Sequence, residues 1–417
     1  MASTGRLNRA LELLGQWWEH PLHSGLAALV VYSLITIRWH VTWSATNAAY
    51  FNYLADAFLH GQLHLRLMPP MTLDLVLFNG QYFLYWPPLP AVLMMPFVAV
   101  FGVSFSDTLF TLAFGALNVV LVAAVLRAAQ RREVINLTAA QRGWLVLFFA
   151  LGTVHITLAP FARVWFTSQV VAFTTVGVMY LAALQLEGNR AFLGTGVGVA
   201  AALVTRSHLA FAGLWPLIYL LMHYRSSGWQ RLLGKVLLSG IPVVIALALF
   251  GVYNFLRFDN VLDTGVSYHL MNAIFVEEFK QYGVFNLHYL PANIFYQFIA
   301  YPLPPATQDE FLMGGGLFWL SPLFIAAFWG VVQGRPRWSV WTLLLTIGLI
   351  ATPIMLLMGT GYGQFGPRYT LDYTLPLLLL TAQGIRRWPL AIIALLTLLA
   401  IMQYLIGMRY WGVAMMQ

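Results

Sequence analysis

The 417-residue chain has no cysteine. That removes any disulfide framework, thiolate metal site or cysteine nucleophile, and it leaves the redox compartment undecided. Charge is almost as scarce, with 22 basic and 14 acidic side chains making only 9% of the residues. A soluble α-domain of this size needs a charged surface that such an inventory cannot cover. The net charge of +8 is not gathered into a Lys/Arg-rich arm or a basic stripe, so nucleic acid is not an expected partner. A Walker pattern and an HExxH pair are also missing, which leaves no nucleotide cradle and no recognisable set of metal ligands. More than twenty residues, Glu12 and Glu19 among them, precede the first apolar run. That run is therefore expected to be an uncleaved anchor and not a signal peptide.

What the chain does have is apolar surface. It is 60% hydrophobic and 15% aromatic, with a mean hydropathy of +0.75, which is the composition of an integral membrane protein. About 20 apolar residues cross the hydrocarbon core. Runs near that length fall at 25–43, 107–126, 143–160, 166–185, 192–205, 209–223, 236–255, 316–333, 339–358, 372–385 and 389–407. The expectation is an all-α polytopic membrane protein with about 11 transmembrane helices, forming a single transmembrane domain over 1–417. Two longer connections stand out: a first outer loop at 45–106, carrying interfacial helices, and a long outer loop at 257–315. Met1–His23 reads as an interfacial amphipathic helix with Trp17 and Trp18 at the boundary. The short run 88–102, with Pro88, Pro90 and Pro96, reads as interfacial or re-entrant.

Under this assignment 14 of the 22 basic residues lie on the side of the N-terminus. The bias makes that side cytoplasmic and places the chain in a cell membrane. Ten of the 14 acids fall on the other side, so polar chemistry is expected at the extracytoplasmic face.

The first outer loop holds two carboxylates. Asp56 sits on a short amphipathic helix with Asn52 and His60 one turn to either side, hence on one face. Asp74 precedes the alternation LVLFNGQYF, a strand-turn-strand with Asn79-Gly80 at the turn. Farther on, Arg206 and His208 interrupt an apolar double span. A central arginine there would be penalised by roughly 2.5–3.5 kcal/mol, so an outer-end position is expected, either as a ligand contact or as a snorkelling turn. Arg257, Asp259 and Asp263 open the long loop. The segment GTGYGQFGPRY carries four glycines before Arg368 and Tyr369, and Asp372, four residues beyond Arg368, is placed to pair with it. Gly194, Gly196 and Gly198 lack the βαβ context of a dinucleotide fingerprint, so they read as close helix packing.

Five segments taken in order, YFNYLADAFLHG, DLVLFNGQYFLYWPPLPAVLMMP, LVTRSHLAFAGLWP, YNFLRFDNVLDTG and FGPRYTLDYTLPLLL, resemble the membrane-embedded GT-C glycosyltransferases. The resemblance implies a GT-C-like fold and transfer of a sugar from a polyprenyl-phosphate-linked donor to a lipid, glycan or protein acceptor. It implies a base from the first loop, Asp56 or Asp74. Donor-phosphate contacts would come from Arg206, Arg257, Arg368 and Tyr369, and acceptor or sugar contacts from Asn47, His60, Tyr82, Tyr85 and His208. No metal ligands are implied, and a divalent cation is neither demanded nor excluded. Membrane lipid and the lipid-linked donor are the partners. Counting back from Gly61 to the place where the family carries its principal aspartate lands on Thr46 or Asn47. That departure keeps a second reading open: a non-catalytic GT-C-like subunit or scaffold with protein partners in the membrane. A transporter, the third reading, calls for polar groups near the midplane, whereas the charges here collect at one face.

Overall fold

A computed structural model describes residues 2–39, 43–301, 313–361 and 363–416. Part of the long outer loop, 302–312 with Asp309 and Glu310, lies outside the described residues, as does His40. Among the described residues each apolar run read from the sequence is largely helical. Seven helices are long and apolar enough to cross a membrane: Pro21–Arg38, Asp107–Arg131, Ala139–Leu158, Val164–Gln185, Trp229–Phe258, Arg337–Met355 and Leu390–Tyr410. The other expected spans are shorter or broken. Leu317–Leu320 stops at Ser321 because Pro322 has no N–H to continue the ladder and pushes the residue before it out of helical geometry. Thr374–Gly384 has 11 residues, and Gly188–Leu203 has 16. Long helices alone therefore do not reach the expected count of eleven.

The bundle closes through small residues. A Cβ placed on Gly196 would lie 2.0 Å from the Ser239 carbonyl oxygen, and one on Gly198 would lie 2.5 Å from the Met179 side chain. Glycine at 196 lets Gly188–Leu203 pack directly on Trp229–Phe258, and glycine at 198 lets it pack on Val164–Gln185. The N-terminal helix Ala2–Glu19 is likewise laid against Ala139–Leu151. Trp144 donates its indole N–H to Leu11 O at 3.0 Å, and Glu19 accepts from Arg142 at 2.9 Å.

Within 45–106 the short helix and the strand-turn-strand read from the sequence are both present. A helix, Tyr50–Leu59, is followed by an antiparallel hairpin, Val76–Phe78 with Gln81–Phe83, and then by the Leu89–Phe101 helix. Asn79 and Gly80 both take positive φ, +49° and +76°, as a two-residue turn matching the strand twist requires. The connection at 257–315 adds to this hairpin. Val76 bridges to His269, Leu270 N–H donates to Leu75 O at 2.8 Å, and Asp74 N–H donates to Leu270 O at 2.9 Å. Phe258, at the end of Trp229–Phe258, packs with Val76 and Phe83. Two segments nearly two hundred positions apart are thus fixed to each other, and the chemistry gathers at their junction.

Candidate functional site

Five separate parts of the chain bring polar side chains to one end of the bundle. Arg206 follows the Gly188–Leu203 helix in extended backbone. Its Nη2 and Nε donate to Asp372 Oδ2 at 2.9 and 3.2 Å. His208 Nε2 lies 2.8 Å from the same oxygen. The other carboxylate oxygen, Oδ1, accepts from Gln169 Nε2 at 3.4 Å. Asp372 is thereby fully engaged as a buried counter-ion, its side chain only 1% exposed.

Arg368 is held next to this pair without pairing to Asp372. Its Nε donates to Gly361 O at 3.3 Å, Nη1 to Gln169 Oε1 at 3.4 Å and Nη2 to Tyr369 Oη at 3.2 Å. Gln169 also donates to Arg368 O at 3.0 Å. Both guanidinium groups lie over the Tyr369 ring, Arg368 at 4.5 Å and Arg206 at 5.8 Å from its centroid. The expected ion pair between Arg368 and Asp372 is corrected here. Residues 368–373 form a 3₁₀ helix, in which positions four apart do not stack as they do on an α-helix.

The segment 45–106 reaches this cluster through Tyr85. Burial raises the affinity of its phenol for the proton, and the nearby Asp74 carboxylate raises it further, while Arg368 and Arg206 act in the opposite sense. The Tyr85 ring lies 4.8 Å from that of His269, whose Nε2 is 3.0 Å from Asp74 Oδ1. Asp74 itself sits at φ +68°, a left-handed conformation uncommon outside glycine. Behind it, Tyr50 donates its hydroxyl to Leu73 O. Burial raises the Tyr50 phenol first and Asp74 raises it second, with Arg163 opposing.

The structure thus brings Asp74, Tyr85, Arg206, His208, Arg368 and Tyr369 together and places the remaining candidates elsewhere. Asp56 accepts a two-pronged contact from Arg66, Nε to Oδ2 and Nη2 to Oδ1, both at 3.0 Å. His60 Nδ1 lies 2.8 Å from the Asp56 main-chain oxygen. Arg257 is buried with Nη1 on Leu84 O at 2.8 Å, Nη2 on Asn254 Oδ1 at 2.9 Å and Nε on Tyr253 O at 3.3 Å. It ties a helix end to the hairpin. Tyr82 lies on the second strand, half-buried, and Asn47 is exposed in a turn. Beside it, Thr46 donates from N and Oγ1 to the two oxygens of buried Asp107, at 3.0 and 2.7 Å.

Gln169 and His269 escaped the sequence reading. Gln169 carried a usable signal, an amide well inside an apolar span. For His269 there was none, because its role depends on a strand pairing across the two outer loops.

No protein-family model matches the chain, and no curated protein matches it. Among solved structures it is similar to ArnT from Cupriavidus metallidurans bound to undecaprenyl phosphate, at 15% identity and a TM-score of 0.49 over 86% of this chain. It is also similar to the apo oligosaccharyltransferase of Archaeoglobus fulgidus, at 12% identity and a TM-score of 0.48 over 93% of this chain. The matches cover 60% and 56% of those two proteins.

Proposed function

We propose that the chain is a membrane glycosyltransferase that moves a sugar from a polyprenyl-phosphate donor to a lipid, glycan or protein acceptor at the extracytoplasmic face. The observation that carries this is the charge imbalance around Asp372. Two buried guanidinium groups, Arg206 and Arg368, lie beside the buried carboxylate of Asp372, and only Arg206 is paired with it among the described residues. Buried charge calls for compensation, and a phosphate matches the planar donors of arginine.

In this reading Arg206 and Arg368 hold the donor phosphate, with Tyr369 stacked against them. Asp74 is the base. Its Oδ1 faces His269, and no hydrogen bond to its Oδ2 is found among the described residues. Asp56 has both oxygens on Arg66. Asp74 takes the proton of the acceptor hydroxyl, and the oxygen attacks the anomeric carbon. The bond from that carbon to the phosphate oxygen breaks, and the two arginines stabilise the departing charge. Tyr85 and His208 line the space between base and phosphate as sugar contacts.

The test is transfer of a labelled hexose from a polyprenyl-phosphate carrier by the protein in lipid nanodiscs. Bare polyprenyl phosphate is titrated in parallel. Binding that is unchanged in both Arg206→Ala and Arg368→Ala sinks the phosphate assignment. One observation favours the second reading, a non-catalytic subunit: at the loop position where GT-C enzymes carry their aspartate, Thr46 is clamped on Asp107. That reading expects lipid binding without transfer, and a protein partner seated on the outer loops.

A further inference from the structure

A concave site lies beside the hairpin, lined by other residues than the Arg206 centre. It is a cavity of about 350 Å³ between the hairpin and the end of Trp229–Phe258. Its polar lining comes from Gln62, His64, Asn79, Gln81, Arg257 and Asp259. Phe78 and Phe83 supply aromatic wall. Both rings pack edge-on against Phe258, at 5.6 and 5.3 Å, so the wall belongs to a small hydrophobic core and is pre-formed.

The polar groups are poised for something other than this chain. Gln62 Oε1 is buried with no hydrogen-bond partner, a costly state that a ligand hydroxyl would relieve. Among the described residues the side chains of His64, Asn79, Gln81 and Asp259 likewise make no hydrogen bond within the protein. Arg257 turns its three nitrogens to Leu84, Asn254 and Tyr253, so its charge is already spread over protein acceptors. Asp259 opposes it in sign.

Amide, imidazole and carboxylate groups around aromatic wall, with one positive and one negative charge in near balance, do not select an anion. They suit a neutral molecule whose hydroxyls both donate and accept and whose C–H faces can rest on a ring. We propose that this cavity is a saccharide-binding site that holds one or two neutral sugar units. The proposal stands whether or not the Arg206 centre transfers sugar, because it rests on a different set of residues.

The experiment uses the full chain in nanodiscs and ligand-observed NMR titration with maltose, cellobiose, mannobiose and chitobiose, and with inorganic phosphate as the anionic control. At least one disaccharide is expected to bind saturably. Gln81→Ala, at an exposed position, should weaken it about tenfold with the melting midpoint unchanged, the loss of one hydrogen bond. Gln62→Met should weaken it while holding or raising thermal stability, since an orphaned buried acceptor is removed. Any of three results overturns the proposal: no saturable binding by any of the four sugars, binding unchanged in both variants, or phosphate occupying the same site more tightly than the sugars do. If bare polyprenyl phosphate also fails to bind, the transferase reading falls separately.

Discussion

Asp372 takes its ion pair from Arg206, 2.9 Å away and 166 positions distant in sequence, and not from Arg368 one helical turn before it. The consequence is a buried cluster with one more guanidinium than carboxylate. Gln169 acts as the hinge of this arrangement: its amide N–H groups face Asp372 and Arg368 O, while its carbonyl faces Arg368 Nη1.

Asp372→Asn keeps the shape of the side chain but removes the carboxylate that pairs with Arg206 beside Arg368. Removing one partner of a buried ion pair typically costs about 3–5 kcal/mol. The expected result is a clear fall in the melting midpoint in nanodiscs. Polyprenyl phosphate should recover part of that loss, because it binds the folded state and supplies an anion. A variant that melts like the wild type, with or without the lipid, contradicts the counter-ion role.

Arg206→Lys and Arg368→Lys retain charge and lose the planar fork. Hydrogen bonds to charged groups are worth about 1.5–3 kcal/mol each, so affinity for bare polyprenyl phosphate should fall by about 10- to 100-fold in either variant. Tyr369→Leu, which removes the ring beneath both arginines, should weaken binding less. Equal affinities for wild type and the lysine variants would show that the cluster meets no phosphate.

Local rules carried the reading of the fold where spacing alone decides structure. The apolar runs became helices, LVLFNGQYF became a hairpin about Asn79-Gly80, and Gly196 and Gly198 became contact points between helices. Side-chain partners set by tertiary placement were not legible. Asp56 does share a helix face with His60, whose Nδ1 is 3.6 Å from its Oδ1, but the two-pronged contact from Arg66 in the following loop was not legible. Asp372 was matched to Arg368 because an α-helix was assumed where a 3₁₀ helix forms. Asp74 was legible as a carboxylate just before the strand-turn-strand. Its positive φ and its contact to His269 needed the pairing of two outer loops that sequence does not announce.

The glycine-rich run before Arg368 offers a local test. Gly361 sits at φ +91°, and a Cβ there would lie 2.7 Å from Gln364 Oε1 and 3.0 Å from Arg368 Nε. Its carbonyl is also the acceptor for that Nε. Gly361→Ala therefore strains the backbone and crowds the guanidinium at once, at a cost of about 1–3 kcal/mol. Phosphate-lipid affinity should drop together with stability. At Gly363, φ +76° with open space around a Cβ, the same substitution should lower stability and spare affinity.

The choice between the two first-loop carboxylates comes down to what each oxygen touches. Both Asp56 oxygens lie on Arg66, so Asp56→Asn should disturb the loop and lower stability while any remaining folded protein turns over normally. In Asp74 one oxygen faces His269. Asn is among the few residues that tolerate its left-handed backbone, so Asp74→Asn changes the chemistry with little change in shape. General-base removal costs about 10²- to 10⁴-fold in rate, and the loss should fall on kcat with KM for the donor held. If Asp56→Asn abolishes turnover in protein that melts normally while Asp74→Asn stays active, the roles are reversed and the centre must be rebuilt around Arg66.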